Sequence, residues 1–278
     1  MEDVKADDKE IEPQPEGLRL TVDTGVLLLQ ATGPIELTVQ AIAFGLAAAE
    51  QADPISTNAV GQILQLGDHE PAQIKSHFLE LVPRVAVNSL WQDFRLFLDQ
   101  FAVVASLYAR QKDVRGEWSQ SQVLKKAGRL PLYQLLMQIE RDLERDLPEE
   151  LKVQITSLNK ARNCIEHRKG RVGEQDRNIG SIGESPALEL TWKAPYAHIT
   201  GNQEPIRVSQ APELIIPPLG EMRVILEPQV KCWPLAELLE FEPYEIIEVG
   251  LSLVFLAQAL TNVLSKMAPI REIRSESE

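Results

Sequence analysis

The sequence predicts a mainly α-helical bundle with one β-prone insertion before its last helix. Apolar residues recur at helical spacing from residue 34 to residue 172 and again from about 243 to 267. Residues that start and stop helices stand where those patterns begin and end. Between residues 173 and 233 the pattern changes to short β-prone runs separated by Gly and Pro. At 278 residues, with 44% hydrophobic and 25% charged, the chain has the balance of a globular protein that can bury a sizeable core. Aromatic residues are only 5% of it, so the core is expected to be aliphatic.

Residues 1–17 read as a solvated acidic tail, because the first sixteen hold seven acids against Lys5 and Lys9. Leu18–Val22 and Val26–Gln30 flank Asp23-Thr24-Gly25, which reads as a β-hairpin. Pro34 then opens a helix carrying Ile35, Val39, Ile42, Phe44 and Leu46, and residues 53–70 read as a connector. From Pro71 to about Gln111 a long pattern predicts the spine of the core, with Pro83 marking a break or kink. Its apolar stripe is Leu90, Trp91, Phe94, Phe97, Leu98, Phe101, Val104 and Leu107.

A short helix starts at Ser119 or Ser121 and ends before Gly128, and the next spans Leu132 to Leu147. Pro148-Glu149-Glu150 opens a further helix, since proline tolerates the first turn and acids complement its dipole. That helix turns Leu151, Ile155, Leu158, Ala161 and Ile165 inward and stops at Gly170. In the insertion the β-prone runs are Leu188–Trp192, Ile206–Val208, Leu214–Ile216 and Arg223–Leu226. Residues 234–268 supply the C-terminal helix that completes the bundle, and 269–278 form a charged tail.

A net charge of -13 and a pI near 4.9 argue against a general binder of nucleic acid or anionic membrane, because the summed field repels polyanions. The most apolar run, Ile246 to Leu260, is interrupted by Glu248 and Gln258. It is shorter than the roughly 20 residues needed to cross a bilayer, so it reads as a buried core helix. Cys164 and Cys232, the only cysteines, lie far apart and read as reduced thiols of a cytoplasmic protein.

One segment carries chemistry. Before Gly170, Arg162 and Glu166 stand one helical turn apart, as do Asn163 and His167. Between Lys160 and Arg177 six bases face three acids, a surplus of three positive charges in an acidic chain. Each member also has an ordinary role open to it: cations near a helix C-terminus satisfy its carbonyls and dipole, and Arg162 with Glu166 is a common surface pair. Cys164 and His167 are within helical reach as a nucleophile pair, but no orienting third group accompanies them. His69, His77 and His198 have no companion ligands at zinc spacing, and no metal or cofactor is expected.

Arg162-Asn163-Cys164-Ile165-Glu166-His167, an arginine, a polar residue, three positions and a histidine near the end of a core helix, resembles the active-site motif of HEPN-domain ribonucleases. Arg168-Lys169-Gly170-Arg171-Val172 is similar to the residues that trail the motif in bacterial HEPN-like proteins. The resemblance covers about Pro34 to Val172 and the final helix, and it does not extend to the β-prone insertion. It implies metal-independent RNA cleavage in which Arg162, Asn163 and His167 are catalytic. His167 would do the acid/base work, as imidazole titrates near neutrality. Arg162 would brace the phosphate, and Asn163 would orient His167 or hold a phosphate oxygen.

Lys160, Arg168, Lys169 and Arg171 are the candidate RNA-binding residues. Five positions on a helix leave Arg162 and His167 about 140° apart around the axis, so one helix is not expected to close both on one phosphate. A dimer would, in agreement with the dimeric active sites the resemblance implies. The reading is thus a HEPN-like endoribonuclease, a homodimer in a toxin or phage-defence role, with an RNA substrate, a cognate antitoxin or regulator, and no membrane partner. The alternatives are a non-catalytic HEPN-like dimerisation or nucleotide-binding module, and a helical protein with a fortuitous motif.

Overall fold

A computed structural model of the chain describes residues 23–51, 71–112, 119–177, 187–199, 204–210 and 222–267. The expected acidic tail, the 53–70 connector, Leu18–Val22, Leu214–Ile216 and the charged C-terminal tail lie outside the described residues. Within them the chain is mainly helical with one small sheet. The helices are α1 (Thr24–Gln51), α2 (Pro71–Lys112), α3 (Gln120–Ala127), α4 (Leu132–Leu143), α5 (Glu149–Arg168) and α6 (Pro243–Ser265). The strands are β1 (Ala187–Ile199), β2 (Ile206–Arg207) and β3 (Met222–Pro234), antiparallel in the order β2-β1-β3.

The expected hairpin is corrected at its second half, because Val26–Gln30 belongs to α1. Asp23 is the reason. Its carboxylate accepts from the Gly25 and Val26 N–H groups at 2.9 and 3.1 Å, and its carbonyl accepts from Leu27 N–H at 3.0 Å. Asp23-Thr24-Gly25 is therefore an N-terminal helix cap, not a turn between strands. Pro34 lies inside α1 instead of opening it, and Pro83 likewise lies inside an unbroken α2.

Along α2 the stripe Leu90, Phe94, Phe97, Leu98 and Phe101 is almost fully buried. The rings of Trp91, Phe94, Phe97 and Phe101 succeed one another at centroid distances of 6.5, 5.8 and 5.8 Å. Leu, Ile, Val and Ala make up most of the core, as expected, and these four rings form a row within it. Helix α4 ends at Leu143, earlier than expected, because Glu144 turns left-handed at φ 51°. Leu147 is still buried, and its N–H donates to the Glu140 carboxylate at 3.0 Å.

The β-prone stretch is not an appendage. Leu188, Leu190, Trp192 and Ala194 alternate inward along β1 and join the core between α5 and α6. Because β2 pairs β1 only at Tyr196 and Ala197, the rest of that strand edge needs other acceptors. Ser157 on α5 accepts from Thr191 N–H at 3.1 Å, and Ser252 on α6 accepts from Lys193 N–H at 3.0 Å.

Glu248, with no solvent exposure, accepts from Trp192 Nε1 at 2.9 Å, from both Nε and Nη2 of Arg207 at 2.6 Å, and from the Ser209 hydroxyl. Arg207 also lies over the Tyr244 ring, 4.8 Å from its centroid. Burial alone would raise the Glu248 pKa, but the hydrogen bonds from Arg207, Ser209 and Trp192 outweigh it and hold the carboxyl below its ordinary value.

Among the described residues two helices are long and apolar enough to cross a membrane, α1 over Thr24–Leu46 and α6 over Pro243–Ser265. The second exceeds the run the sequence suggested, and 12 of its 23 residues are buried within the protein, as a core helix requires. Little of the α1 span is buried, and Val26, Leu29, Leu37 and Phe44 form an exposed apolar stripe on it. Its inner face packs tightly on α6: a Cβ added at Gly250 would meet Val39 Cγ2 at 2.1 Å.

Gly250→Ala is accordingly expected to destabilise the fold by about 1–3 kcal/mol through overpacking, despite the better helix propensity of alanine; chemical denaturation checks this. Glu248 stabilises the fold fully above the ordinary glutamate pKa, and its contribution is lost as pH falls through the depressed folded value. Stability should therefore drop in acid below about pH 4. Glu248→Ala, which leaves the Arg207 guanidinium unpaired, should cost about 3–5 kcal/mol at neutral pH and flatten that acid limb.

Candidate functional site

Helix α5 ends in two successive left-handed residues, Lys169 at φ 55° and Gly170 at φ 82°. Gly170 N–H donates to the Cys164 carbonyl at 3.0 Å, so the helix closes there as the sequence predicts. The next residues are stitched to the segment entering α6: Val172 N–H donates to Glu237 O at 2.9 Å and Leu239 N–H to Gly170 O at 2.8 Å. Leu151, Ile155, Leu158 and Ala161 are buried as expected; Ile165 is half-buried and Cys164 takes the inner position.

On the outer side Arg162 and His167 meet at one atom. Arg162 Nη2 lies 2.5 Å from Glu166 Oε2, and His167 Nε2 lies 3.6 Å from the same oxygen. Both side chains thus approach one carboxylate oxygen on the same helix, Arg162 at hydrogen-bond distance and His167 just beyond it. The rotation between the two Cα positions is absorbed by the length of the arginine side chain, and a carboxylate already occupies the meeting point. Arg162 is half-buried, whereas the His167 side chain is 62% exposed.

Asn163 departs from its expected pairing with His167. It accepts from Arg162 Nη1 at 3.0 Å, and no hydrogen bond joins it to the histidine among the described residues. Its role in this arrangement is to hold the guanidinium. Arg162 is fixed from a second side by Asn88 on α2, whose Oδ1 accepts from Nε at 3.3 Å. One turn before Asn88, Arg84 leans on the α5 terminus, its Cδ 3.4 Å from where a Gly170 side chain would begin. Its Nε is buried and has no hydrogen-bond partner among the described residues. Sequence reasoning missed both α2 residues; the only signal was two polar residues four apart beside an apolar stripe.

The four candidate RNA-binding residues fare differently. Arg168 makes two bonds to the Asp176 carboxylate, which is 1% exposed and also accepts from Gly173 N–H at 2.8 Å. This pair locks the chain after the helix, so Arg168 is structural here. Lys160 donates to the Arg177 carbonyl, and burial holds its ammonium below the usual lysine value against the raising fields of Asp176 and Glu189. Arg171 Nη1 donates to Ala236 O at 2.6 Å, and Lys169 is exposed. The three acids of the segment each pair with an arginine, as Arg162–Glu166, Arg168–Asp176 and Arg177–Glu174. The positive surplus thus resides on Lys160, Lys169 and Arg171.

Cys164 is fully buried, and burial first, then the field of Asp176, pushes its thiol up to about 12. A thiol so placed is not the nucleophile of a Cys164–His167 pair. His77 is exposed on α2, His198 stands on β1, and His69 lies outside the described residues. Among the described residues no group of three or more His, Cys, Asp or Glu is arranged to hold a metal ion. Compared with protein-family models, curated proteins and solved structures, the chain matches none of them.

Arg168→Ala is expected to cost about 3–5 kcal/mol, because it strands the buried Asp176 carboxylate. Lys169→Gln, at an exposed position, should stay within about 0.5 kcal/mol of the wild type. Urea denaturation of the two variants separates the structural cation from the solvent-facing one.

Proposed function

We propose that this chain is a HEPN-like, metal-independent endoribonuclease acting through Arg162 and His167. The observation that supports this most is their convergence on one anionic oxygen, that of Glu166. A phosphate oxygen seeks the same donors, so the site has the form of an anion pocket filled by an internal carboxylate. His167 is the exposed member, free to exchange a proton with a 2′-hydroxyl or a leaving oxygen. Arg162, held by Asn88 and Asn163, keeps a fixed fork on which charge can develop. Attack by the 2′-hydroxyl breaks the P–O5′ bond and leaves a 2′,3′-cyclic phosphate, with no metal required.

In this reading substrate binding must displace Glu166, which restricts access to the site in an acidic protein. The homodimer of the reading is supported by the exposed apolar stripe on α1, a surface of the kind that marks protein contacts. Catalysis from within one chain is compatible with it, since both side chains reach the anion without a partner. A toxin or phage-defence role rests on the HEPN resemblance alone.

A second reading is favoured by the same clamp. Arg162 already has Glu166, Asn88 and Asn163 as partners, so the protein could be a non-catalytic module that binds nucleotide or a second chain.

Incubation with RNA in excess EDTA distinguishes the two. Cleavage with cyclic phosphate ends is expected from the wild type, with losses of about 100-fold or more in His167→Ala and Arg162→Ala and unchanged melting curves. Glu166→Gln, which removes the competing charge, should lower the KM for RNA several-fold. Intact RNA with every preparation, or activity that requires added magnesium, would sink the nuclease reading.

A further inference from the structure

The opposite end of α5 borders a cleft of about 310 Å³ that the site above does not use. It lies between the first turns of α5, the outer face of α6 and the sheet. Leu151, Leu226, Phe255 and Leu256 give it an apolar body. At its inner end stands Gln154, whose residue is only 2% exposed. The Gln154 carboxamide oxygen accepts a long bond from the Ser252 hydroxyl at 3.5 Å, and its amide nitrogen donates to no group among the described residues. Gln154 lines the cleft, so this nitrogen is a donor that a ligand acceptor placed there can engage.

We propose that this cleft binds a small, planar, uncharged heterocycle of the nucleobase class. Its carbonyl oxygen or ring nitrogen takes the Gln154 amide, and its face lies against Phe255 and Leu256. Charge argues against an anion: the one cation lining the cleft, Lys193, is paired with Glu150 at 2.9 Å. Polarity in the lining argues against a hydrocarbon chain, because the Gln154 amide nitrogen would face it without a partner.

At the rim, Gln258 Nε2 donates to Asn262 Oδ1 at 3.1 Å, which leaves the Gln258 oxygen and the Asn262 amide to read a ring edge carrying both donors and acceptors. The volume stands at the low end of ligand cavities and suits one base or nucleoside. Thirteen residues of helix separate Gln154 from His167, about 20 Å along the axis, so this site is distinct from the anion pocket.

The test is calorimetric titration of the full chain with adenosine, guanosine, cytidine and uridine. At least one should bind with a Kd below 1 millimolar, about the weakest affinity a preformed cleft of this size would be expected to give. Ala259→Trp, an exposed substitution that fills the cleft, should weaken that binding by about tenfold or more while leaving the melting temperature unchanged. Gln154→Leu should abolish the binding and leave the melting temperature nearly unchanged, because the one hydrogen bond it removes is long, at 3.5 Å. A drop in stability with binding retained would make Gln154 a structural residue and overturn the proposal. So would the absence of heat with all four nucleosides, or binding that persists in Ala259→Trp.

Discussion

Every backbone donor taken out of water must find an acceptor, and in this protein that requirement falls hardest on β1. The strand is paired along its whole length with β3 but over only two residues with β2, so the remaining edge faces the helices. Ser157 and Ser252 answer two of its N–H groups, and Glu248 answers the indole of Trp192 between them. These contacts fix the sheet against α5 and α6 at one register. A slip of one residue would turn Leu188, Leu190 and Trp192 outward and leave the serines facing carbonyls.

The position of the candidate site follows from that docking. Once β3 is held by β1, the chain leaving it passes beside the end of α5 and bonds to Gly170 and Val172. Arg168 and Asp176 close the same turn from its other side. Arg162 and His167 therefore project from a terminus held by four backbone or ionic ties, not from a fraying helix end. Such support is what a positioned guanidinium needs, since a site on a rigid element keeps its geometry when an anion arrives.

Electrostatics decides which cations remain for a ligand. With a net charge of -13 the molecule repels polyanions at a distance, and within the segment each acid has already taken an arginine. Three of the segment's four arginines fork onto carboxylates, and the excess positive charge is left on Lys160, Lys169 and Arg171, whose guanidinium meets a backbone carbonyl instead. Glu166 and Glu174 hold their arginines at the surface, whereas Asp176 is buried and bonded from three directions.

The sequence by itself determined the helices, because a 3.6-residue apolar period and its end signals are local properties. The α2 stripe, the Pro148 start of α5, its stop at Gly170 and the last helix at Pro243 were all legible from neighbouring residues. It also marked Arg162, Asn163 and His167 as the polar residues crowded at one helix end. Where two structures share a local pattern it misled: Asp23-Thr24-Gly25 suits a hairpin or a helix cap, and only the packing of Leu27 and Ile35 on the core chose the cap. The Arg162–Glu166 pair, one turn apart on a single helix, was legible in the sequence, whereas the tertiary structure alone decided that the β-prone stretch is part of the core and that Asn88 and Arg84 from α2 reach the site. Those facts depend on side-chain length and on elements distant in sequence, and no periodicity in the chain encodes the distance between two helices.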